Sequence, residues 1–250
     1  MMGFLTNKLL KPLLFNDYQG LPVSGKLPVL ETAAVLIDRA RTDPFEKDGR
    51  FREVPVHFYY PETEAQSAER FPLVVFSHGA FGFYKSNYST YSELASNGYV
   101  VAAIDHPRHA VFTRNAKGKR VFVSGAFMRS IREMNGEMTA QRQYERYVEW
   151  MSLRVPDMCF ALDTLKHAAQ TGAADDGWAV PDQNGEAIRA VLQRLDAAKI
   201  GVMGHSMGGA TAVEAGRQRK DISAVIDLDG TMLGEYTGVE NDNLTVREDA

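Results

Sequence analysis

Apolar residues run almost unbroken through Pro72–Ser77 and through Gly98–Asp105. Such runs suit strands covered on both faces of a parallel sheet. Between them Ser86–Asn97 has helical character and stops at Gly98, a residue suited to a helix C-terminus. Upstream, Glu31–Asp38 reads as a first strand. Phe51–Tyr60 alternates and meets Pro61, the pattern of a strand with an edge proline. Glu62–Arg70 is polar and reads as a loop. Two late strands are expected at Lys199–Met203 and Ile222–Leu228, and they complete the set. Strands alternating with helices predict an α/β fold: a mostly parallel sheet with helices on both faces.

Ala110–Trp150 breaks this rhythm. Val111–Gly125 holds two short apolar runs around Asn115–Lys119, which predicts a hairpin. Met138–Met151 reads as an amphipathic helix and Pro156–Ala169 as a second one. Thr171–Asp182 reads as a loop, and Glu186–Leu195 as a further helix. The segment 110–150 is therefore a candidate lid inserted into a single domain over residues 1–250. No internal repeat or linker divides the chain.

Composition bounds the partners. The chain has 250 residues, 44% hydrophobic and 24% charged, enough for one sizeable core. A net charge of -4 carries no basic excess, so nucleic acid is not an expected partner. The lone cysteine, Cys159, lies in an apolar helical stretch and reads as a buried, inert thiol. Met1–Phe15 has apolar patches broken by Lys8, Lys11 and Pro12. It reads as an N-terminal arm or short helix, with weak contact to a membrane surface as the sharper reading. It lacks the unbroken apolar core of a signal peptide, so a cytoplasmic location is expected. The sequons at Asn87 and Asn243 read as chance matches.

The chemistry centres on Gly204-His-Ser-Met-Gly208, a G-x-S-x-G pattern. An apolar strand enters it and a helical stretch leaves it, which is the context of a nucleophile elbow. Ser206 would stand on a tight turn at a helix N-terminus, where partial positive charge favours a developing anion. A hydroxyl needs a base, and the base an orienting acid. Asp229 ends the next predicted strand and is the candidate acid. Asp227, inside that strand, reads as structural. The backbone N–H groups of Met207 and Ala80 are the expected oxyanion donors, Ala80 from the loop Ser77–Gly82. His78 reads as a shaper of that loop.

Three blocks carry a resemblance. "FSHGAFGFYKSNYSTYSELASNGYVVAAIDHPRHA", "IGVMGHSMGGAT" and "AVIDLDGTMLG" together resemble the plasma and type II platelet-activating-factor acetylhydrolases and their bacterial relatives. The likeness runs from about Arg52 to Gly234. It implies an α/β-hydrolase fold and hydrolysis of small-molecule or lipid esters through an acyl-enzyme. It also implies no metal or cofactor, with Ser206 the nucleophile, Asp229 the acid, and Ala80 and Met207 the oxyanion residues. Cutinases and polyester hydrolases share GHSMGG, so a polyester or dienelactone-type hydrolase is the rival reading.

The triad histidine should follow the acid, yet the six histidines stand at 57, 78, 106, 109, 167 and 205. His106 and His109, in "HPRH", are the earlier candidates for a base or a metal pair. The reading preferred on sequence is a chain truncated before its base and its last strands, with Ile222–Leu228 left as an open edge. A ligand-binding pseudoenzyme is the alternative.

Overall fold

The computed structural model describes residues 22–64, 67–134 and 136–248. The arm expected at Met1–Phe15 lies outside the described residues.

The central sheet is built from β1 (Val29–Thr42), β2 (Phe51–Pro61), β3 (Phe71–Ser77), β4 (Val100–Ile104), β7 (Trp178–Ala179), β8 (Leu195–His205) and β9 (Ala224–Leu228). Their order is β7-β1-β2-β4-β3-β8-β9. The half β4-β3-β8-β9 is parallel, as the continuous apolar runs predict. The other half is antiparallel, so the sheet is mixed. Strand β2 is not an edge strand: it lies between β1 and β4. Pro61 is tolerated because it is the last residue, paired with Val29 of β1 and beyond the span that pairs with β4.

Strand alternation sends side chains into two cores. Leu73, Val75, Val100, Ala102 and Ile104 point into the larger one. There they meet α3 (Ala140–Thr171), α4 (Gly185–Gln193) and α5 (Met207–Gln218). Phe76, Val101, Ala103 and Met203 point the other way, against Tyr91 and Ala95 of α1 (Tyr88–Ser96). Strand β9 stands at the sheet's end with Val225 42% and Ile226 47% exposed, so the expected open edge is present.

Four elements depart from expectation, the first being β7, which lies inside the expected loop Thr171–Asp182. The two helices predicted around Pro156 are one, α3, and the proline lies inside it. A proline in a helix interior costs about 3 kcal/mol, and the carbonyl it deprives belongs to Ser152. That residue is exposed, while Leu153, Val155, Met158 and Leu162 are buried around it. Each such burial returns about 1.5–3 kcal/mol, so packing wins. After the predicted hairpin β5–β6 (Phe112–Arg114, Arg120–Phe122) comes an unforeseen helix, α2 (Gly125–Met134). Beyond β9 a second hairpin, β10–β11 (Tyr236–Glu240, Asn243–Val246), follows, so β9 is not the last strand.

Candidate active site

The parallel half delivers its strand C-termini to one rim. Strand β8 ends at His205, Ser206 turns the chain, and α5 begins at Met207. Ser206 has φ 54 and ψ −125, a backbone conformation that side-chain-bearing residues rarely hold. The glycines are sterically required. A Cβ on Gly204 would lie 2.0 Å from the Gly208 carbonyl oxygen, and one on Gly208 would lie 2.0 Å from that of Ser77. The Ser206 N–H donates to the Leu228 carbonyl at 2.8 Å, tying the elbow to the end of β9. Among the described residues no side chain hydrogen-bonds the Ser206 hydroxyl.

The loop after β3 abuts the serine. A Cβ on Gly79 would sit 3.3 Å from the Ser206 Cβ, so the Gly79–Ala80 peptide runs beside the nucleophile. The Phe81 N–H is spent on the His109 carbonyl. The Ala80 N–H has no acceptor among the described residues, and Met207 opens α5, where first-turn N–H groups lack intrahelical partners. Ala80, next to Gly79, and Met207, next to Ser206, thus both lie in the backbone around the serine.

The two aspartates of β9 differ. Asp229 follows the strand end with φ 57 and is exposed. Asp227 is wedged under the elbow: a Cβ on Gly209 would fall 1.7 Å from its Oδ1, and one on Gly230 2.3 Å away. Burial pushes its carboxyl up from the usual range.

His106 and His109 do not form a metal pair or face the elbow hydroxyl. His106 bonds the Ser77 hydroxyl through Nε2 at 2.8 Å and Asp157 through Nδ1 at 3.1 Å. His109 accepts from Arg154 at 3.3 Å and stacks on Phe127. Burial lowers His106 to about 4 and His109 to about 2, with the Arg154 charge adding to both. His78 shapes its loop as expected, its Nδ1–H donating to the Gly79 carbonyl and its Nε2 accepting from the His106 N–H. His57 lies stacked on Tyr84, its pKa lowered by burial to about 3. His167, on α3, is near Asp175 in the loop after it. Cys159 is half-buried, and burial raises its thiol.

Behind the rim lies a charge network that sequence reasoning missed. Arg52 makes two hydrogen bonds to Asp157, which also takes Arg41 and His106. Burial alone would raise the Asp157 carboxyl, yet Arg52 and His106 hold it well below the carboxylate range. Arg154, one turn before Asp157, is fully buried. The available signal was an opposite-charge pair, Arg154 and Asp157, in an otherwise apolar stretch of helix.

Part of the segment 110–150 packs beside this rim. Phe127 of α2 and Tyr147, Trp150 and Val155 of α3 pack with Met207, Ala210 and Leu233, and Ala80 and Tyr236 join the cluster. Phe122 at the hairpin is 56% exposed.

The model of the family described as "Platelet-activating factor acetylhydrolase, isoform II" matches residues 55–241. The platelet-activating factor acetylhydrolase of Gallus gallus is 29% identical over 179 residues, 66% of this chain and 40% of that protein. That of Cavia porcellus is 26% identical over 180 residues, 67% of this chain and 37% of its own. The chain thus spans about two fifths of the length of these curated relatives. A bis(hydroxyethyl) terephthalate hydrolase of Streptomyces coelicolor is 30% identical over 95 residues, 34% of this chain and 28% of that one. Among solved structures, a ferulic acid esterase from Streptomyces cinnamoneus aligns with TM-score 0.57 at 23% identity. The alignment covers 84% of this chain and 61% of the esterase, a likeness of fold.

Proposed function

The chain belongs to the platelet-activating factor acetylhydrolase, isoform II family, and from that premise we propose that it is a serine carboxylic-ester hydrolase. The observation that carries the proposal is the strained Ser206 at a strand–helix turn, with the Gly79–Ala80 peptide packed against it. In this reading the Ser206 hydroxyl attacks an ester carbonyl. The N–H groups of Ala80 and Met207 receive the oxyanion, which adds charge where fixed donors already point. An imidazole oriented by Asp229 takes the serine proton and returns it to the departing alcohol. Water then releases the acyl group from Ser206. His57, His78, His106 and His109 do not fill the imidazole's role, since their rings are hydrogen-bonded or stacked away from Ser206.

Asp229 is preferred to Asp227 as the acid because it stands free at the rim, while Asp227 is confined beneath Gly209 and Gly230. The substrate class is a small-molecule ester or lipid, which membership of the family supports. A second reading, hydrolysis of aromatic polyester fragments, has one observation in its favour, the 30% identity to the terephthalate ester hydrolase. A turnover profile over p-nitrophenyl acetate, p-nitrophenyl octanoate and bis(hydroxyethyl) terephthalate separates them. Preference for the acetyl ester supports the acetylhydrolase-like reading, and preference for the terephthalate ester supports the second. No turnover of any of the three by the full-length protein would contradict both.

A further inference from the structure

Arg154 is fully buried, and among the described residues no carboxylate forms an ion pair with it. The nearest acid along the helix, Asp157, is committed to Arg41, Arg52 and His106. The guanidinium instead spends its donors on backbone. Nη1 donates to the His78 carbonyl at 2.6 Å, and Nη2 to the Gly79 carbonyl at 3.3 Å. Nε donates to His109 Nδ1 at 3.3 Å. The Gly79 carbonyl also accepts from His78 Nδ1 at 2.7 Å and from the Gly82 N–H at 3.1 Å. Three donors therefore converge on one oxygen.

That oxygen belongs to the same peptide unit as the Ala80 N–H. In a trans peptide the carbonyl and the N–H point in opposite directions. Anchoring the carbonyl in the interior therefore turns the N–H outward, toward Ser206, and forbids the peptide from flipping. A cation on the carbonyl side also polarises the amide, which strengthens the N–H as a donor. A charge buried without a carboxylate partner is costly to the fold, and such a cost is typical of groups retained for a site.

We propose that Arg154 is a positioning residue: its buried guanidinium, bonded to the carbonyls of His78 and Gly79, aims and polarises the Ala80 N–H at the oxyanion. The inference rests on the reading of Ser206 as nucleophile and Ala80 as oxyanion donor. Arg154 acts on the intermediate and not on the bound ester, so its loss falls on kcat and spares KM. Removing an oxyanion donor outright costs about 10²–10³ in kcat, and loosening one costs roughly 10–100-fold.

The test uses the full-length enzyme with Arg154→Met, Arg154→Lys and Ser206→Ala, assayed on p-nitrophenyl acetate. Turnover is expressed per serine titrated by a fluorophosphonate, which removes any unfolded fraction. In Arg154→Met, kcat per titrated site should fall roughly 10–100-fold with KM within about threefold. Inhibition by a trifluoromethyl ketone, which forms a tetrahedral adduct, should weaken by a similar factor. Arg154→Lys, keeping the charge but not the fork, should lose about tenfold, and it carries the test if the methionine variant does not fold. Unchanged kcat per titrated site in the folded variant, or a loss confined to KM, would overturn the inference. Ser206→Ala that still turns over marks failure of the underlying reading. An inactive Ser206→Ala beside an unimpaired Arg154 variant marks failure of the Arg154 role alone.

Discussion

Two serines of this molecule end neighbouring parallel strands, and they divide the attributes of a nucleophile between them. Ser77, at the end of β3, has the hydrogen bonds of a relay: its hydroxyl meets His106 Nε2, and His106 Nδ1 meets Asp157. Ser206, at the end of β8, has no such chain among the described residues, but it has the strained turn, the helix N-terminus and two backbone donors beside it. Ser77, His106 and Asp157 are each 0% exposed, and the Ser77 carbonyl lies under Gly208 at the start of α5. No ester carbonyl can approach there. A serine–imidazole–carboxylate row is thus a structural strut where it is sealed. On the proposed reading, the strained turn and the backbone N–H groups beside it, not the row, mark the reactive serine.

The contrast can be broken most directly by exchanging the serines for alanine. Ser206→Ala should lose about 10⁵–10⁶ in kcat, as removal of a triad serine does elsewhere. Ser77→Ala should keep kcat within about threefold and lose about 1 kcal/mol of stability, the worth of one buried hydrogen bond. Steady-state kinetics and urea melts read both. Equal damage to turnover in two folded variants would erase the distinction.

The aspartates sharpen it. Asp229→Asn should cost about 10⁴ in kcat with little change in stability. Asp227→Asn should cost far less. Asp157→Asn should act on the fold instead, losing about 3–5 kcal/mol because the buried Arg52 is left with Asp43 as its one carboxylate and Arg41 and His106 lose theirs. Denaturant titration beside kinetics separates the three. A larger catalytic loss from Asp227→Asn than from Asp229→Asn, with both folded, would transfer the role of acid.

A smaller effect lies in pH. Burial depresses His106 to about 4, from an ordinary value near 6.5, so the fold holds it neutral. Between those values the unfolded chain binds the proton and the native one does not. Stability therefore falls as pH drops through this window. The His106 share between pH 7 and pH 5 is about 2 kcal/mol. Urea denaturation of wild type and His106→Gln at both pH values should show that slope reduced in the variant. An identical slope would place the titration elsewhere.

The parallel half of the sheet was legible because β3, β4 and β8 are apolar enough to need no context, and the elbow because Gly204 and Gly208 admit no side chain. The rest required tertiary facts. Pro156 argues locally for a helix boundary, and only the packing of α3 against the sheet and against α2 and Met207 overrules it. Helix α2 buries just Phe127 and Ser130, so its arginines mask it. The β10–β11 hairpin had a readable signal in Asn241-Asp242, both at positive φ, the geometry of a tight primed turn. The burial of Arg52 and Arg154 depends on how α3 lies against the sheet, which no local pattern shows.

The central claim is that Ser206 is the nucleophile of a serine hydrolase. It is tested most directly by reacting the full-length protein with a fluorophosphonate and mapping the adduct by peptide mass spectrometry. The account predicts one modified residue, Ser206, with labelling abolished in Ser206→Ala and retained in Ser77→Ala. An adduct on Ser77 or another residue, or none on a folded protein that turns over ester, would contradict it.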